Sequence, residues 1–343
     1  MLNSINTKLK KVLVIGLGQL GLPVAKYVND KGFDVYGYDI NSDAMIKAQE
    51  KIGLKTTSSF RNFDIYIICV STHNASNISS PQIEGLISVI NKISMEANNG
   101  SLVSIESTIP NGTSKKIFEL LEHRLHVVHA PHRWYSLDEE NYGVNQLRVI
   151  GGVNPCCLKI GLEFYAGHSK CDVQVTSDDD ILNNYNVQEN RNTSFMEAQQ
   201  NLNDSNSLSN NNQLESQPYI QSLEIPMHSV SSIEVAELSK IIENSHRYLQ
   251  IAFAEELYLY CQANNILFSE LRDALNTKWN VEILEPRDGI GGHCLPKDTK
   301  MFLNSSKMRS KILQSAIEVD TLYQDFLPRR EKKLITSVDK LTN

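Results

Sequence analysis

The chain has 343 residues, enough for two domains with sizeable hydrophobic cores. Its composition, 41% hydrophobic and 21% charged, is that of a globular protein, and a net charge of −7 gives no sign of a nucleic-acid or anionic-membrane partner. The six cysteines form no C-x-x-C pair and have no metal-ligand spacing, so we predict no metal site and a reducing, cytoplasmic location. We also expect no signal peptide and no membrane span, because the N-terminal residues are polar and no apolar run approaches ~18 residues.

The first predicted elements form a β-α-β unit. Residues 12–15 are apolar and predict a buried strand, residues 20–31 predict a helix, and residues 33–38 predict the next strand, which Asp39 follows. Later apolar runs predict further strands at 65–70, 102–105, 127–128 and 148–150, with helices at 84–97 and 113–123. This alternation predicts an α/β domain with a mostly parallel sheet covered by helices on both faces, over residues 1–177.

The turn between the first strand and helix has the spacing G-x-G-x-x-G, at Gly16, Gly18 and Gly21. In a dinucleotide-binding turn these glycines permit the tight turn, the approach of the pyrophosphate and close helix–strand packing. Asp39 is placed to accept hydrogen bonds from the adenosine ribose, and its charge repels a 2′-phosphate. We therefore predict NAD rather than NADP; the alternative is a strand–turn–helix unit without a cofactor.

Residues 178–227 differ in composition from the rest of the chain. They are rich in Asn, Gln and Ser and poor in branched apolar side chains, and they show no sustained periodicity. Such a segment buries too little surface to offset the entropy lost on ordering, so we predict a disordered insertion. Folding on contact with a partner is the alternative.

A long helix is predicted over residues 231–263, with apolar faces at helical spacing. Four polar residues fall on one face at steps of three, four and three: Glu237, Lys240, Asn244 and Arg247. This face is either solvated or turned into an active site. We assign residues 228–328 to a mainly helical central domain and residues 329–343 to a charged tail.

Cys294 directly follows Gly291, Gly292 and His293 and precedes Lys297 and Asp298. A thiol nucleophile needs close backbone approach, groups that favour the thiolate, and a nearby acid or base. An ordinary glycine turn with an inert buried cysteine is the alternative. Together with the dinucleotide-binding turn, the segment indicates an NAD-dependent oxidation through a covalent thiol adduct.

Several ordered blocks resemble the UDP-glucose/GDP-mannose dehydrogenase family. They are GLGQLGLP at 16–23, CVST at 69–72, ESTIPNGT at 106–113, PHR at 131–133, RVIGG at 148–152, AELSKIIENSHRYLQIAFAEE at 236–256 and GIGGHCLPKD at 289–298. The His directly before Cys294 resembles the UDP-N-acetylmannosamine dehydrogenase branch more than the UDP-glucose branch, which usually has Ser at that position. The resemblance implies a Rossmann-type NAD-binding domain followed by a helical central domain. It also implies four-electron oxidation of a nucleotide-sugar C6 alcohol to a uronic acid, for polysaccharide biosynthesis.

The resemblance also implies roles for individual residues. Cys294 would carry the thiohemiacetal and thioester, Lys240 and Asn244 would stabilise the developing oxyanion, and Asp298 would act as a base. Thr108 would hold a water, and His132, where relatives usually carry Glu, could act as acid or base. The expected substrate contacts are Arg247, Gly291, His293 and Lys297; for Arg247 a structural ion pair with Glu237 or Glu243 is the alternative. The expected cofactor contacts are Gly16, Gly18, Gln19, Leu20, Gly21, Asp39, Val70, Thr72, Glu106 and Thr108.

The expected partners are a UDP-sugar and a second copy of the chain, paired through the 231–263 helix. The sequence ends where relatives usually continue with a UDP-binding domain, which raises two alternatives, and the domain plan itself allows a third. The chain could be a truncated, catalytically impaired NAD-binding scaffold or regulator. It could be half of a split enzyme with a separate UDP-binding chain. It could also be a two-electron hydroxyacid dehydrogenase, which would not need Cys294.

Overall fold

The structure is a computed structural model that describes residues 10–73, 81–135, 137–168, 221–305 and 310–339. Its strands are β1 (Lys11–Ile15), β2 (Asp34–Tyr38), β3 (Lys55–Thr56), β4 (Ile65–Ile68), β5 (Leu102–Ile105), β6 (His126–His129), β7 (Arg148–Gly152) and β8 (Met227–Ser229). Its helices are α1 (Gly21–Asp30), α2 (Ser42–Ile52), α3 (Glu84–Glu96), α4 (Thr113–Leu120), α5 (Glu139–Tyr142), α6 (Pro155–Ala166), α7 (Ile233–Ala263), α8 (Phe268–Leu275), α9 (Cys294–Ser305) and α10 (Lys311–Asp339).

One eight-stranded sheet has the order β3-β2-β1-β4-β5-β6-β7-β8. All neighbouring strands run parallel except β6 and β7, which pair antiparallel. The predicted mostly parallel α/β sheet is therefore confirmed. The carboxyl ends of β1, β4, β5 and β6 lie side by side at one edge, which is where open α/β sheets bind ligands.

Alternate residues of the central strands enter two different hydrophobic cores. Val12 and Val14 of β1 pack in one core, whereas Leu13 and Ile15 pack in the other. When a strand is buried on both faces, all its side chains are apolar. The central strands therefore lack the alternation of apolar and polar residues that is typical of strands with one exposed face. The sheet consequently has helices on both faces, as predicted.

Helix α7 is the long helix predicted from residue 231. It begins after Ser232, whose hydroxyl accepts a hydrogen bond from the backbone N–H of Val235. The negative charge of Glu234 in the first turn further stabilises this end of the helix. It packs against β6 and β7 of the sheet as well as against α8, α9 and α10. One helix therefore joins the sheet domain to the helical domain that contains Cys294.

Two predicted boundaries differ from the structure. Residues 221–227, assigned to the disordered insertion, are ordered: Leu223 and Ile225 are buried, and their backbone N–H groups donate to carbonyls at the end of α6. The rest of the predicted insertion, residues 178–220, lies outside the described residues. At the C-terminus, α10 runs on through residue 339, across most of the segment assigned to a charged tail.

Candidate active site

The glycine-rich turn connects β1 to α1 at the ligand-binding edge of the sheet. Gly16 has φ +90°, and a Cβ there would lie 2.6 Å from the carbonyl oxygen of Cys69, so only glycine fits. Gly18 faces open space, with nothing within 4 Å of an added Cβ. No side chain of the described residues caps the start of α1 at Leu20, so the N-terminal end of the helix is open to an anion, although the N–H of Leu22 itself donates to the carbonyl of Gly18 at 3.2 Å. The turn therefore fits a pyrophosphate group.

Asp39 closes the other side of this turn. Its carboxylate accepts hydrogen bonds from the backbone N–H groups of Leu17, at 2.7 Å, and Asn41, at 2.8 Å. A cleft of about 320 Å³ opens here, lined by Leu17, Gly18, Gln19, Leu22, Asn41, Ala44, Lys47 and Lys51. Gly18 and Gln19 line this cleft, and Asp39 is bonded to two of its lining residues, Leu17 and Asn41, an arrangement that suits the adenosine half of a dinucleotide.

Cys294 is the first residue of α9 and is exposed. Desolvation of the thiol by the protein around it and the charge of Asp298 raise the pKa of Cys294, whereas Lys297 and Lys240 lower it, and the net shift is upward. A helix N-terminus stabilises a thiolate, and the two lysines add to that effect. The site thus holds both a nucleophile and the cations that can stabilise its charged form.

A continuous series of hydrogen bonds connects the sheet to this helix. Thr72, beyond β4, donates its hydroxyl to the carbonyl of Thr108 at 2.7 Å and accepts from Nζ of Lys297 at 3.1 Å. Nζ of Lys297 also lies 2.9 Å from Oδ1 of Asp298, whose Oδ2 accepts from Asn244 of α7 at 2.5 Å. Five residues selected from the sequence are therefore joined directly.

The buried Lys297–Asp298 pair follows Cys294 by three and four residues in α9. Lys297 is 5% exposed and Asp298 is 1% exposed, so each charge compensates the other where water is excluded. Lys297 was predicted as a substrate contact; its position next to Asp298 and Thr72 also makes it a support of the site. On the polar face of α7, Asn244 is bonded to Asp298, and the role of that face as a whole stays a prediction.

A second polar cluster lies behind the ends of β5 and β6, and we call it the Glu106 cluster: Glu106, His132, Arg148 and Tyr165. One oxygen of Glu106 lies 2.7 Å from Nε2 of His132. The other lies 3.2 Å from Nη1 of Arg148 and accepts from the Tyr165 hydroxyl at 2.5 Å. All four side chains are buried.

The pKa values in this cluster follow from its charges. Burial opposes ionisation of Glu106, but Arg148 and His132 outweigh it and lower the pKa of the carboxyl to about 2. Burial, assisted by Arg148 and Lys240, lowers the pKa of His132 to about 4, although Glu106 opposes this shift. At neutral pH the cluster therefore holds an ionised carboxylate and a neutral imidazole.

Sequence comparisons assign both domains to one family. Residues 43–168 match the NAD binding domain of the UDP-glucose/GDP-mannose dehydrogenase family, and residues 234–321 match the central domain of the same family. The two matches together cover more than half of the chain.

The chain belongs to the UDP-glucose/GDP-mannose dehydrogenase family.

Curated relatives within this family include two UDP-N-acetyl-D-mannosamine dehydrogenases. The chain is 26% identical to the enzyme of Methanococcus maripaludis over an alignment of 337 positions that covers 92% of this chain and 66% of the relative. It is 26% identical to that of Campylobacter jejuni, with 96% of this chain and 75% of the relative covered. The chain thus spans about two thirds to three quarters of these proteins.

Solved structures share the fold. The UDP-D-ManNAc dehydrogenase of Pyrococcus horikoshii has a TM-score of 0.69 at 23% identity, covering 96% of this chain and 72% of that one. The 3-hydroxyisobutyrate dehydrogenase of Mycobacterium tuberculosis has a TM-score of 0.59 at 12% identity, covering 93% and 94%. The predicted architecture, an NAD-binding α/β domain followed by a helical central domain, is confirmed.

The remaining predicted site residues occupy different environments in this family member. Arg247 is exposed, and its guanidinium donates to Gln250 at 3.4 Å. The alternative ion pairs for Arg247 are not formed among the described residues: Glu237 accepts from the backbone N–H groups of Gly112 and Ser114, and Glu243 pairs with Arg133. Arg247 therefore remains a candidate substrate contact.

Glu106 was predicted to contact the cofactor, yet it is 1% exposed and is contacted by four side chains, those of Cys69, His132, Arg148 and Tyr165. Val70 supplies a carbonyl that accepts from the Ser107 hydroxyl at 2.7 Å, which ties the ends of β4 and β5 together. Gly291 is exposed in the loop before Cys294. The cofactor and substrate contacts of these residues stay predictions.

Three residues near the site were not singled out from the sequence as site residues. His73 contacts His293 with the ring centroids 4.9 Å apart and the ring planes tilted, joining the end of the β4 segment to the residue before Cys294. Arg148 and Tyr165 complete the environment of Glu106. Arg148 belongs to the family-like block RVIGG, but its ion pair with Glu106 is seen only in the structure. Tyr165 lies in α6, a helix that was not predicted from the sequence.

Among the described residues, no helix has the length and apolar character that crossing a membrane requires. Within the same part of the chain, no group of three or more His, Cys, Asp or Glu side chains is arranged to hold a metal ion.

Proposed function

We propose that the chain catalyses the NAD-dependent four-electron oxidation of a nucleotide-sugar C6 alcohol to the uronic acid through a thioester on Cys294. What supports the proposal is the bonded series from Thr72 through Lys297 and Asp298 to Asn244, because Lys297 and Asp298 belong to the helix that begins with Cys294. The relatives named above are UDP-N-acetyl-D-mannosamine dehydrogenases, so a UDP-linked N-acetylhexosamine is the first substrate to test.

Each side chain of the site has a separate role in the proposed reaction. Bound NAD supplies the hydride acceptor for each of the two oxidation steps. Asp298 takes the proton of the C6 hydroxyl, and the Cys294 thiolate adds to the resulting aldehyde. Lys240 and Asn244 stabilise the negative charge that develops on the substrate oxygen in the covalent intermediates. Water then releases the acid from the thioester.

The test is NADH formation with a panel of nucleotide sugars: UDP-N-acetylmannosamine, UDP-N-acetylglucosamine, UDP-N-acetylgalactosamine, UDP-glucose and GDP-mannose. Wild type should form two NADH per sugar, and Cys294→Ala should form no uronic acid. If Cys294→Ala still forms NADH, a two-electron hydroxyacid dehydrogenase is the better explanation. That alternative is worth testing because the chain shares the fold of the 3-hydroxyisobutyrate dehydrogenase over 94% of that protein's length. NAD binding without turnover on any sugar would favour the scaffold or split-enzyme alternatives.

We further propose that α7 pairs with α7 of a second copy. Large apolar side chains are exposed along it, including Val235 and Ile242 at 43% each and Phe253 and Tyr260 at 56% each. A groove lined by Val235, Leu238, Ser239, Ile242, Glu243 and His246 follows the same helix. Light scattering at micromolar concentration should give the mass of a dimer, and a monomeric mass would reject the pairing.

A further inference from the structure

Asp320 of α10 is a buried carboxyl group with three hydrogen-bond donors around it. It is 7% exposed. Its Oδ1 accepts from the backbone N–H of Ile290 at 3.0 Å and from Nε2 of Gln324 at 2.9 Å. Its Oδ2 accepts from the hydroxyl of Tyr248, on α7, at 2.9 Å. Because acidic side chains are seldom buried without such partners, these bonds fix the distances between Asp320 and the three groups.

The backbone group that Asp320 holds belongs to the segment that contains the thiol. Ile290 lies four residues before Cys294. It is 5% exposed and belongs to a hydrophobic cluster against which Leu295 also packs. Gly289 has φ +85°, and a Cβ there would lie 2.9 Å from Cγ of Gln324, so glycine allows the segment to lie directly against α10. The start of the segment is therefore held by polar and apolar contacts together.

Helix α7 supports the segment on both sides of the thiol. Asn244 donates to Asp298, which lies four residues after Cys294. Tyr248, one turn further along α7, donates to Asp320, whose other oxygen holds the segment four residues before the thiol. The thiol thus lies midway in the chain between two points that are both linked to one stretch of α7.

The residues between Ile290 and the thiol depend on these points of support. Gly291 and Gly292 are exposed, and an added Cβ at either position would meet no atom within 4 Å. Two adjacent glycines give the chain its widest conformational freedom. The place of the Cys294 thiol consequently depends on where the segment is fixed, and at its start that point is the N–H of Ile290.

We propose that Asp320 is a positioning residue for Cys294, which acts by holding the backbone of Ile290 and so keeps the thiol at the reacting carbon of the substrate. The proposal rests on the proposed function, because it concerns the nucleophile of that reaction. Asp320 transfers no proton and needs no contact with substrate or cofactor. A displacement of about 1 Å at a reacting group can cost on the order of 100-fold in rate, so a contact of this kind is sufficient to affect turnover.

The first test replaces the acceptor and then restores it. Asp320→Leu has a similar branched shape but no acceptor atom, whereas Asp320→Asn keeps an oxygen for the N–H of Ile290. Glu318→Gln, at an exposed position on the same helix, is the control. We expect kcat to fall about 10-fold or more in Asp320→Leu and to stay within about 3-fold of wild type in the other two variants.

The measurement must distinguish a displaced thiol from a loss of folded protein. NAD-binding sites are counted by calorimetry, kcat is expressed per site, and the KM for NAD should stay within about 2-fold of wild type, because the cofactor cleft is not changed. A wild-type kcat per site in Asp320→Leu would overturn the proposal. An equal loss in Asp320→Leu and Asp320→Asn would overturn it as well, because the Asn variant keeps the acceptor.

A second readout requires neither a variant nor a substrate. In wild type, the amide hydrogen of Ile290 should exchange with deuterium at least about 100-fold more slowly than those of Gly291 and Gly292, as measured by mass spectrometry at single-residue resolution. Exchange of Ile290 as fast as that of the two glycines would overturn the proposal, even if Asp320→Leu does not fold. In a folded Asp320→Leu protein the protection of Ile290 should be lost.

Alkylation of Cys294 by iodoacetamide separates this proposal from the proposed function. The reactivity of a thiol depends on its surroundings, so Asp320→Leu should change the rate at least about 3-fold, whereas Asp320→Asn and Glu318→Gln should keep the wild-type rate. If wild type oxidises no nucleotide sugar, the proposed function fails. A changed alkylation rate then still supports the placement of the thiol by Asp320, and equal rates in all four proteins overturn both proposals.

Discussion

Nζ of Lys297 lies 3.1 Å from Oγ1 of Thr72, although 225 positions separate the two residues in the sequence. The first belongs to the helix that begins with Cys294, and the second follows a strand of the NAD-binding sheet. Both side chains are buried, and their contact ties the start of the Cys294 helix to the ligand-binding edge of the sheet.

Replacing Thr72 by Val should weaken that connection. Val has the same shape but no hydroxyl, so Lys297 loses an acceptor and the carbonyl of Thr108 loses a donor. A buried hydrogen bond to a charged group contributes about 1.5–3 kcal/mol, and we expect turnover to fall about 10-fold or more. Thr72→Ser keeps the hydroxyl and is the matched control. Equal NADH formation by the Val and Ser variants would show that the contact has no part in catalysis.

In the Asp298→Asn variant, the pH profile of Cys294 alkylation should lie at lower pH than in wild type. The carboxylate raises the pKa of the thiol, because a negative charge nearby disfavours the thiolate. Without that charge the pKa falls, and the rate of alkylation by iodoacetamide, which follows the thiolate fraction, moves to lower pH. Lys297→Met should move the same profile to higher pH, because Lys297 lowers the pKa. Peptide mass spectrometry separates Cys294 from the other thiols, and shifts in the same direction would contradict this account.

Gly18→Ala should reduce NAD binding without affecting the fold. An added methyl group meets no protein atom within 4 Å, so the unfolding temperature should stay close to that of wild type. The same methyl would occupy the space left for the pyrophosphate, and we expect the Kd for NAD by calorimetry to rise at least about 10-fold, or about 1.4 kcal/mol. Gly85→Ala, equally open but on helix α3, is the control. Unchanged affinity in Gly18→Ala would place the pyrophosphate elsewhere.

The free energy of unfolding should decrease as the pH rises, because the buried carboxyl of Glu255 must then ionise inside the folded protein. This carboxyl is fully buried without a hydrogen-bond partner among the described residues, and burial together with the charge of Asp320 raises its pKa from 4.5 to about 8. The folded protein holds this proton between those two values while the unfolded chain has released it. The contribution to stability therefore decreases as the pH rises from about 4.5 to about 8.

Glu255→Gln removes this titration and should raise the free energy of unfolding at pH 8 by roughly 1–3 kcal/mol, with little gain at pH 5. Urea denaturation at the two pH values measures both effects. Glu256→Gln changes an exposed neighbour on the same helix and should have little effect at either pH. A Glu255→Gln gain of equal size at pH 5 and pH 8 would mean that ionisation is not the cause.

The sequence by itself determined the elements whose cause is local. The apolar runs at 12–15 and 102–105 form buried strands because their residues must leave water, and Gly16 marks the tight turn because no other residue fits there. The 231–263 helix follows from its apolar periodicity and the Ser232 cap. The residues that surround the thiol were also recognised by type and spacing.

Only the tertiary structure decided which of these groups meet. Strand β8 has no apolar pattern and forms because its backbone pairs with the edge of β7. The partner of His132 is Glu106, whose contact depends on β5 and β6 being neighbours. Pairings between distant positions depend on strand order and on how α7 and α9 dock, and no local propensity encodes them.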